Sequence, residues 1–225
     1  MDATSFLYVT IIPDKYTFVK VRGDFLKNIF VSGYRSYELN IFDQTDPKYL
    51  YLKEFIKNRL LTYIEEGTEW FIITGQLGIE LWAGEIILEL QEEHPDIHLG
   101  VLLPYTSFGE KWNDTNKNLL DKVIEQADYV NYTSNKNYES PKQLNANQIF
   151  TIRNTDGAFL IYDTIMEEAA AGSPKYVYDL IRKHQKNSAY ELNLVSFEEI
   201  EFFIHEYNMF NEGFTDASLT PHEPE

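Results

Sequence analysis

Small, polar and charged residues cluster where the chain passes from an apolar run to a charged, helix-spaced one. Several of these clusters read as candidate anion sites. Ser32-Gly33-Tyr34-Arg35 follows a β-rich run. Gly33 permits a sharp turn with the backbone close to a ligand, and Arg35 can fork onto a phosphate. A surface arginine after a turn is the plainer reading of the same residues. Thr74-Gly75-Gln76-Leu77-Gly78-Ile79-Glu80 reads as strand end, glycine-rich turn and helix start. The first-turn N–H groups of such a helix, with its dipole, make an anion site, and Gly75 and Gly78 are expected to leave room for a phosphate. This is neither the six-residue dinucleotide fingerprint nor a Walker loop. Glu80 has two readings: a carboxylate stabilised by the helix dipole, or a ribose-hydroxyl acceptor or catalytic carboxylate. Trp112, Asn113 and Asn116 follow Pro104-Tyr105. They offer an aromatic face and amides for a base, or a tryptophan closing the core beneath a loop. Asp163 is followed by Gly172-Ser173-Pro174-Lys175. Ser173 as N-cap with Pro174 at the first helical position is a helix-start signal. The same geometry also makes a second anion site facing the first.

Other chemistries lack their residues. Without cysteine there is no disulfide, thiolate metal site or thiol nucleophile. His94, His98, His184, His205 and His222 are scattered, with no pair at helical spacing beside a carboxylate, so no metal site is expected. No nucleophile elbow or Ser/His/Asp arrangement stands out.

The elements that must position these residues alternate. Asn28–Ser32, Trp70–Thr74, Ile97–Leu103, Tyr129–Tyr132, Ala158–Tyr162 and Tyr190–Val195 read as strands, mostly continuous apolar runs suited to burial on both faces. Pro47–Glu66, Leu77–Glu93, Asn116–Asp128, Pro141–Arg153, Ser173–Lys186 and Phe197–His205 read as helices. This alternation predicts an α/β fold, a parallel sheet covered on both faces. Ligands of such sheets sit at the carboxyl ends of the strands, where the clusters above lie. Residues 26–205 read as one domain, and 206–225 as an acidic flexible tail. Residues 1–25 are an N-terminal extension with two readings: an extra hairpin (Phe6 to Ile12, then Tyr16 to Val21), or a stretch upstream of a native start at Leu26.

The 225 residues carry 19 Lys+Arg against 36 Asp+Glu, a formal charge of −17, with 44% hydrophobic and 15% aromatic residues. Such a chain buries a sizeable core and is not disordered. Its charge argues against duplex DNA and an anionic membrane surface as partners. No segment reads as a signal peptide or membrane span, so a cytoplasmic protein is expected.

The motifs resemble the YpsA-like family. The resemblance rests on Ser32-Gly-Tyr-Arg35 with Glu38-Leu39 and Ile41-Phe42, on Thr74-Gly-Gln-Leu-Gly-Ile-Glu-Leu-Trp-Ala83, and on Leu90-Gln-Glu-Glu93. It continues through Trp112-Asn113, Tyr138-Glu-Ser-Pro141, Tyr162-Asp163 and Gly172-Ser-Pro-Lys-Tyr176, across roughly residues 26–200. It implies a three-layer Rossmann-like fold of the SLOG superfamily, whose members are thought to bind nucleotides or their derivatives near the first strand ends. Ser32, Gly33, Arg35, Thr74, Gly75, Gly78 and Glu80 carry over as ligand-site candidates on that basis. The full candidate set adds Tyr34, Gln76, Trp112, Asn116, Asp163, Gly172 and Ser173. The glycine-rich glutamate motif of the SLOG phosphoribohydrolases is missing, its place taken by the Asp163 to Lys175 loop, which argues against hydrolysis; the catalytic candidate is Glu80, from its place in the first helical turn. The resemblance further implies a regulatory nucleotide-binding role with a suggested link to cell division, and hence a protein partner of the division machinery. Hydrolysis of an N-glycosidic bond in a nucleotide or ADP-ribose-type ligand, and a protein–protein interaction module, are the alternatives. No cofactor is implied beyond a nucleotide-type ligand.

Overall fold

The structure, a computed structural model, describes residues 9–12, 15–18, 26–165 and 173–216. Two short strands, β1 (Val9–Ile12) and β2 (Lys15–Phe18), pair antiparallel with Val9 opposite Phe18. The chain then alternates: β3 (Asn28–Ser32), α1 (Pro47–Glu65), β4 (Trp70–Ile73), α2 (Ile79–Leu90), β5 (His98–Leu103), α3 (Asp114–Gln126) and β6 (Tyr129–Tyr132). It continues through α4 (Lys142–Arg153), β7 (Gly157–Ile161), α5 (Pro174–Gln185), β8 (Glu191–Val195) and α6 (Phe197–Asp216).

Strands β3 to β8 form one six-stranded sheet, wholly parallel, in the order β6-β5-β4-β3-β7-β8. The strands are apolar because both faces are covered: every residue of β7 is buried, and all but the first residue of β3 and of β5. Helices α1, α2 and α3 pack side by side, with α6 against α1, while α4 and α5 pack on each other. Right-handed crossovers place the two groups on opposite faces. The result is a three-layer, Rossmann-like α/β arrangement. Phe30, Phe71 and Phe159, from the three central strands, are fully buried at its middle.

The central helix α2 is buried without a break from Ile79 to Ile87, flanked by α1 and α3. A helix so enclosed is apolar almost all round, which leaves Glu80 and Glu85 as buried exceptions. Helix α1 starts where Pro47 takes the first position and the Asp46 side chain accepts from the Lys48 N–H.

The chain order sets the ligand crevice. From β3 it steps outward to β6, then crosses back through α4 to β7, on the other side of β3. The loops after β3 and β7 therefore leave neighbouring strands toward opposite faces, a topological switch point.

Helix α6 is longer than its apolar spacing to His205 predicts. It runs to Asp216, into the stretch read as tail. Tyr207 stacks on Phe203 at 5.9 Å, and Tyr51 of α1 donates a hydrogen bond to Asn208 at 3.2 Å. A bond from α1 and a stack one turn back thus support the helix just beyond His205.

Candidate functional site

At the carboxyl ends of β3 and β4 a carboxylate gathers the two strand ends. Glu80, in the first turn of α2 and only 3% exposed, takes hydrogen bonds from the Ser32 hydroxyl at 2.8 Å and from the Thr74 hydroxyl and backbone N–H, each at 2.7 Å. The Gln76 N–H adds a fourth at 3.3 Å. Burial pushes the Glu80 carboxyl above its usual range, and the bonds from Thr74, Ser32 and Gln76 oppose that shift. Both oxygens are engaged inside the protein. Ser32, Thr74, Gln76 and Glu80 thus form one cluster, which braces the strand ends from beneath.

The glycines do not open a phosphate space. Gly78 has φ +90°, and a Cβ there would stand 2.5 Å from both the Ser36 nitrogen and the Tyr34 carbonyl oxygen. That same carbonyl accepts from the Ile79 N–H at 3.1 Å, so the loop after β3 occupies the start of α2. At Gly75, with φ +79°, a Cβ would meet Leu103 at 2.8 Å, and at Gly33 it would meet Ile79 at 2.9 Å. All three glycines let chain approach chain. The anion site expected at this helix start is filled by the protein's own carbonyl.

Tyr34 and Asp163 lie behind the loops. Tyr34 is buried, stacks on Phe197 at 5.2 Å and accepts from the Asp163 N–H at 3.2 Å. Burial raises its phenol above the ordinary value. Asp163 accepts from the Phe197 N–H at 3.3 Å, at the start of α6, and from Ile165 N–H at 2.9 Å. Trp112 is half-buried edge-on to Phe108, 5.1 Å away, over the core. Gly172 lies outside the described residues.

Arg35 and Ser173 do come together, in a cleft of about 1060 Å³ between the loop after β3 and the helices α4 and α5. Glu38 joins them. It accepts from the Arg35 N–H at 2.7 Å, from the Ser173 N–H at 2.7 Å and from the Ser173 hydroxyl at 2.7 Å. A carboxylate at a helix N-terminus satisfies free N–H groups and the dipole at once. The second anion site expected at Ser173 is therefore held by Glu38. The Arg35 guanidinium donates to the Tyr37 hydroxyl at 3.3 Å, while its Nε is screened from solvent and has no partner among the described residues. Lys142, Lys175 and Lys183 also line the cleft. Lys175 pairs with Asp179 at 2.9 Å, whereas Arg35, Lys142 and Lys183 form no ion pair among the described residues. Tyr37 and Tyr176 stand on the cleft wall with exposed rings.

Across the same loop lies a smaller pocket of about 460 Å³, lined by Ser36, Asp43, Gly78, Trp82, Asn113 and Asn116 among others. Asn113 accepts from the Asn116 N–H at 2.9 Å, capping α3. Its only charged wall residue is Asp43, so it offers a phosphate no cation. Among the described residues no group of three His, Asp or Glu side chains is placed to hold a metal ion.

Sequence reasoning missed Glu38, Lys142, Tyr176 and Lys183 as site residues. A glutamate three residues after Arg35 was a readable signal, since that spacing lets it reach back to a backbone N–H. The lysines on α4 and α5 carried none, because the fold alone makes them neighbours.

Comparison with known proteins gives consistent matches. The family model described as the YspA SLOG family matches residues 29–200. A UPF0398 protein of Staphylococcus haemolyticus is 39% identical over 181 residues, covering 80% of this chain and 95% of that protein. One from Listeria monocytogenes is 42% identical over 183 residues, covering 81% and 98%. One from Enterococcus faecalis is 37% identical over 178 residues, covering 79% and 97%. Among solved structures, DNA processing protein A from Helicobacter pylori, described for its single-stranded DNA binding mode, shares 14% identity and a TM-score of 0.46, covering 80% of each chain. That match corrects the partner expectation. Charge was taken to set duplex nucleic acid aside, whereas that protein is described by its binding of single-stranded DNA, and nucleic acid is no longer excluded as a partner. The likeness at this score carries nothing further to this chain. Among the described residues no helix is long and apolar enough to cross a membrane.

Proposed function

The chain belongs to the YspA SLOG family, and from that membership we propose a cytoplasmic bacterial protein that binds a nucleotide or nucleotide derivative in a regulatory role. One observation carries the reading. In a chain of charge −17, the cleft at the switch point gathers four cations against two carboxylates. A cation in so acidic a protein has many carboxylates to choose from, and one of these two, Glu38, is already spent on the start of α5. Arg35, Lys142 and Lys183 are left facing the cleft. Phosphate is the group that suits such a wall, and the exposed rings of Tyr37 and Tyr176 suit a base.

In this reading Glu38 sets the Arg35 backbone and α5 in one clamp, so that guanidinium and helix hold a fixed relation. Glu80 is a positioning residue that ties Ser32 to Thr74. Its engaged oxygens disfavour the hydrolase alternative, which needs a carboxylate free to exchange a proton with a leaving group.

Calorimetric titration with AMP tests the reading. Arg35→Ala should weaken binding by roughly 1.5–3 kcal/mol, the range for hydrogen bonds to charged groups. Unchanged affinity in a variant with an unaltered melting curve removes Arg35, and the phosphate with it. Release of free base during the titration would restore the hydrolase reading.

A further inference from the structure

Resting on the nucleotide reading of the cleft, we propose that its ligand is phosphorylated on both sides of the sugar, a nucleoside bisphosphate or a phosphodiester-linked dinucleotide. Three cations of the cleft form no ion pair among the described residues: Lys142 on α4, and Arg35 and Lys183, which stand apart along α5. Arg35 stands beside Ser173 and the start of α5, both held by Glu38. Lys175, Asp179 and Lys183 recur every four residues, so they form one stripe down the cleft face of α5. From Lys175 to Lys183 the stripe rises about 12 Å, at ~1.5 Å per residue. Near the head of the stripe Lys175 is answered by Asp179, and at its foot Lys183 forms no ion pair among the described residues. Arg35, at the head of α5, likewise forms no ion pair among the described residues; its guanidinium meets only the neutral Tyr37 hydroxyl.

A mononucleotide has one anionic end. Placed on Arg35, its phosphate would leave Lys183 without a counter-charge, and seated on Lys183 it would leave the Arg35 guanidinium without one. Two phosphates joined through a sugar answer both. Besides these charges the cleft wall carries Tyr176 on α5 and Asn145 and Gln148 on α4, an exposed ring and two amides. That is the lining an uncharged nucleoside needs: a face to stack on and edges to hydrogen-bond. The volume, about 1060 Å³, stands at the top of the range of ~300–1000 Å³ for small-molecule pockets, roomier than a single nucleotide requires.

The test compares AMP with adenosine bisphosphate, phosphorylated on both sides of the ribose, by calorimetry on the full chain. The bisphosphate should bind roughly tenfold more tightly, the gain from one further set of charge-assisted hydrogen bonds. Lys183→Ala should shrink that preference by roughly three- to tenfold, an exposed lysine giving the lower figure. Lys183 is on the surface of α5, so an unchanged melting curve is expected and checks folding. If AMP and the bisphosphate bind equally, the two-ended ligand is wrong while the nucleotide reading stands. If the bisphosphate is preferred and Lys183→Ala leaves the preference intact, the second phosphate is not at this end and the assignment falls. If neither binds, the nucleotide reading itself has failed. A ten-nucleotide single strand binding far more tightly than the bisphosphate would overturn a ligand confined to the cleft.

Discussion

Gly78 and Glu80 show how two residues with the look of a ligand site come to serve the fold. Gly78 needs its positive φ and its missing side chain because the backbone of residues 34–36 crosses it at 2.5–2.7 Å from where a Cβ would stand. Gly78→Ala should destabilise the protein by at least ~2 kcal/mol, from left-handed strain and a backbone clash together, read in chemical denaturation. Wild-type stability in that variant would mean the loop yields freely. Glu80→Gln replaces two acceptor oxygens with one acceptor and one donor facing hydroxyl and N–H donors. It should cost about 1–3 kcal/mol, even if ligand affinity is kept. The Glu80 carboxyl also leaves a mark in pH. Its folded-state value is raised by burial, so between the unfolded and folded values the native state holds more protons. This group's contribution is fully present below the unfolded value and is lost as pH rises through the folded one. Wild-type stability should therefore fall with rising pH in a window that begins in the ordinary carboxylate range, and Glu80→Gln should flatten that segment of the profile. Parallel wild-type and variant profiles there would show that Glu80 does not titrate as burial demands.

At the scale of elements, the joint between α5 and the loop after β3 rests on Glu38. Glu38→Ala removes acceptors from three donors at once. It should lower stability by about 1–2 kcal/mol, as loss of a helix cap does. Amide exchange should quicken selectively at Tyr176 and Val177, in the first turn of α5. Uniform exchange across the helix would show that the cap is not local. The sequence made the elements themselves plain. Strands buried on both faces read as unbroken apolar runs, and Trp70–Ile73 and His98–Leu103 fall within a residue of their expected bounds. Helix Pro47–Glu65 was equally clear from Pro47 and its apolar spacing. The end of α6 was not, because Tyr51 and Phe203 hold Tyr207 and Asn208 from positions far away in the chain or one turn back. The site divides the same way. Arg35 was visible because it follows a strand, and Ser173 because Ser-Pro marks a helix start. That Gly78 faces a carbonyl rather than a phosphate depends on how two loops cross, and periodicity does not report a crossing.

For the whole molecule, charge sets the terms. With 36 acidic against 19 basic residues the folded chain repels itself. Raising ionic strength from ~0.01 to ~0.15 M shortens the screening length from ~30 to ~8 Å, so the melting temperature should rise over that interval. A falling melting temperature would show that ion pairs such as Lys122–Glu85 at 3.0 Å outweigh the repulsion.

The edge of the sheet away from the cleft is fastened by carboxylates to backbone. Asp156 accepts from the N–H groups of Lys27 and Asn28, each at 3.0 Å, where β3 begins. Asp128 accepts from the Leu99 N–H at 2.8 Å, near the start of β5. Every one of these bonds lies at the entry to a strand, and none reaches the loops that bound the cleft. The protein therefore has one pole that registers the strands and another that bears the cleft. Substitutions near Arg35, Tyr176 and Lys183 should leave the strand register untouched. Shape and surface chemistry are set at opposite ends of one sheet.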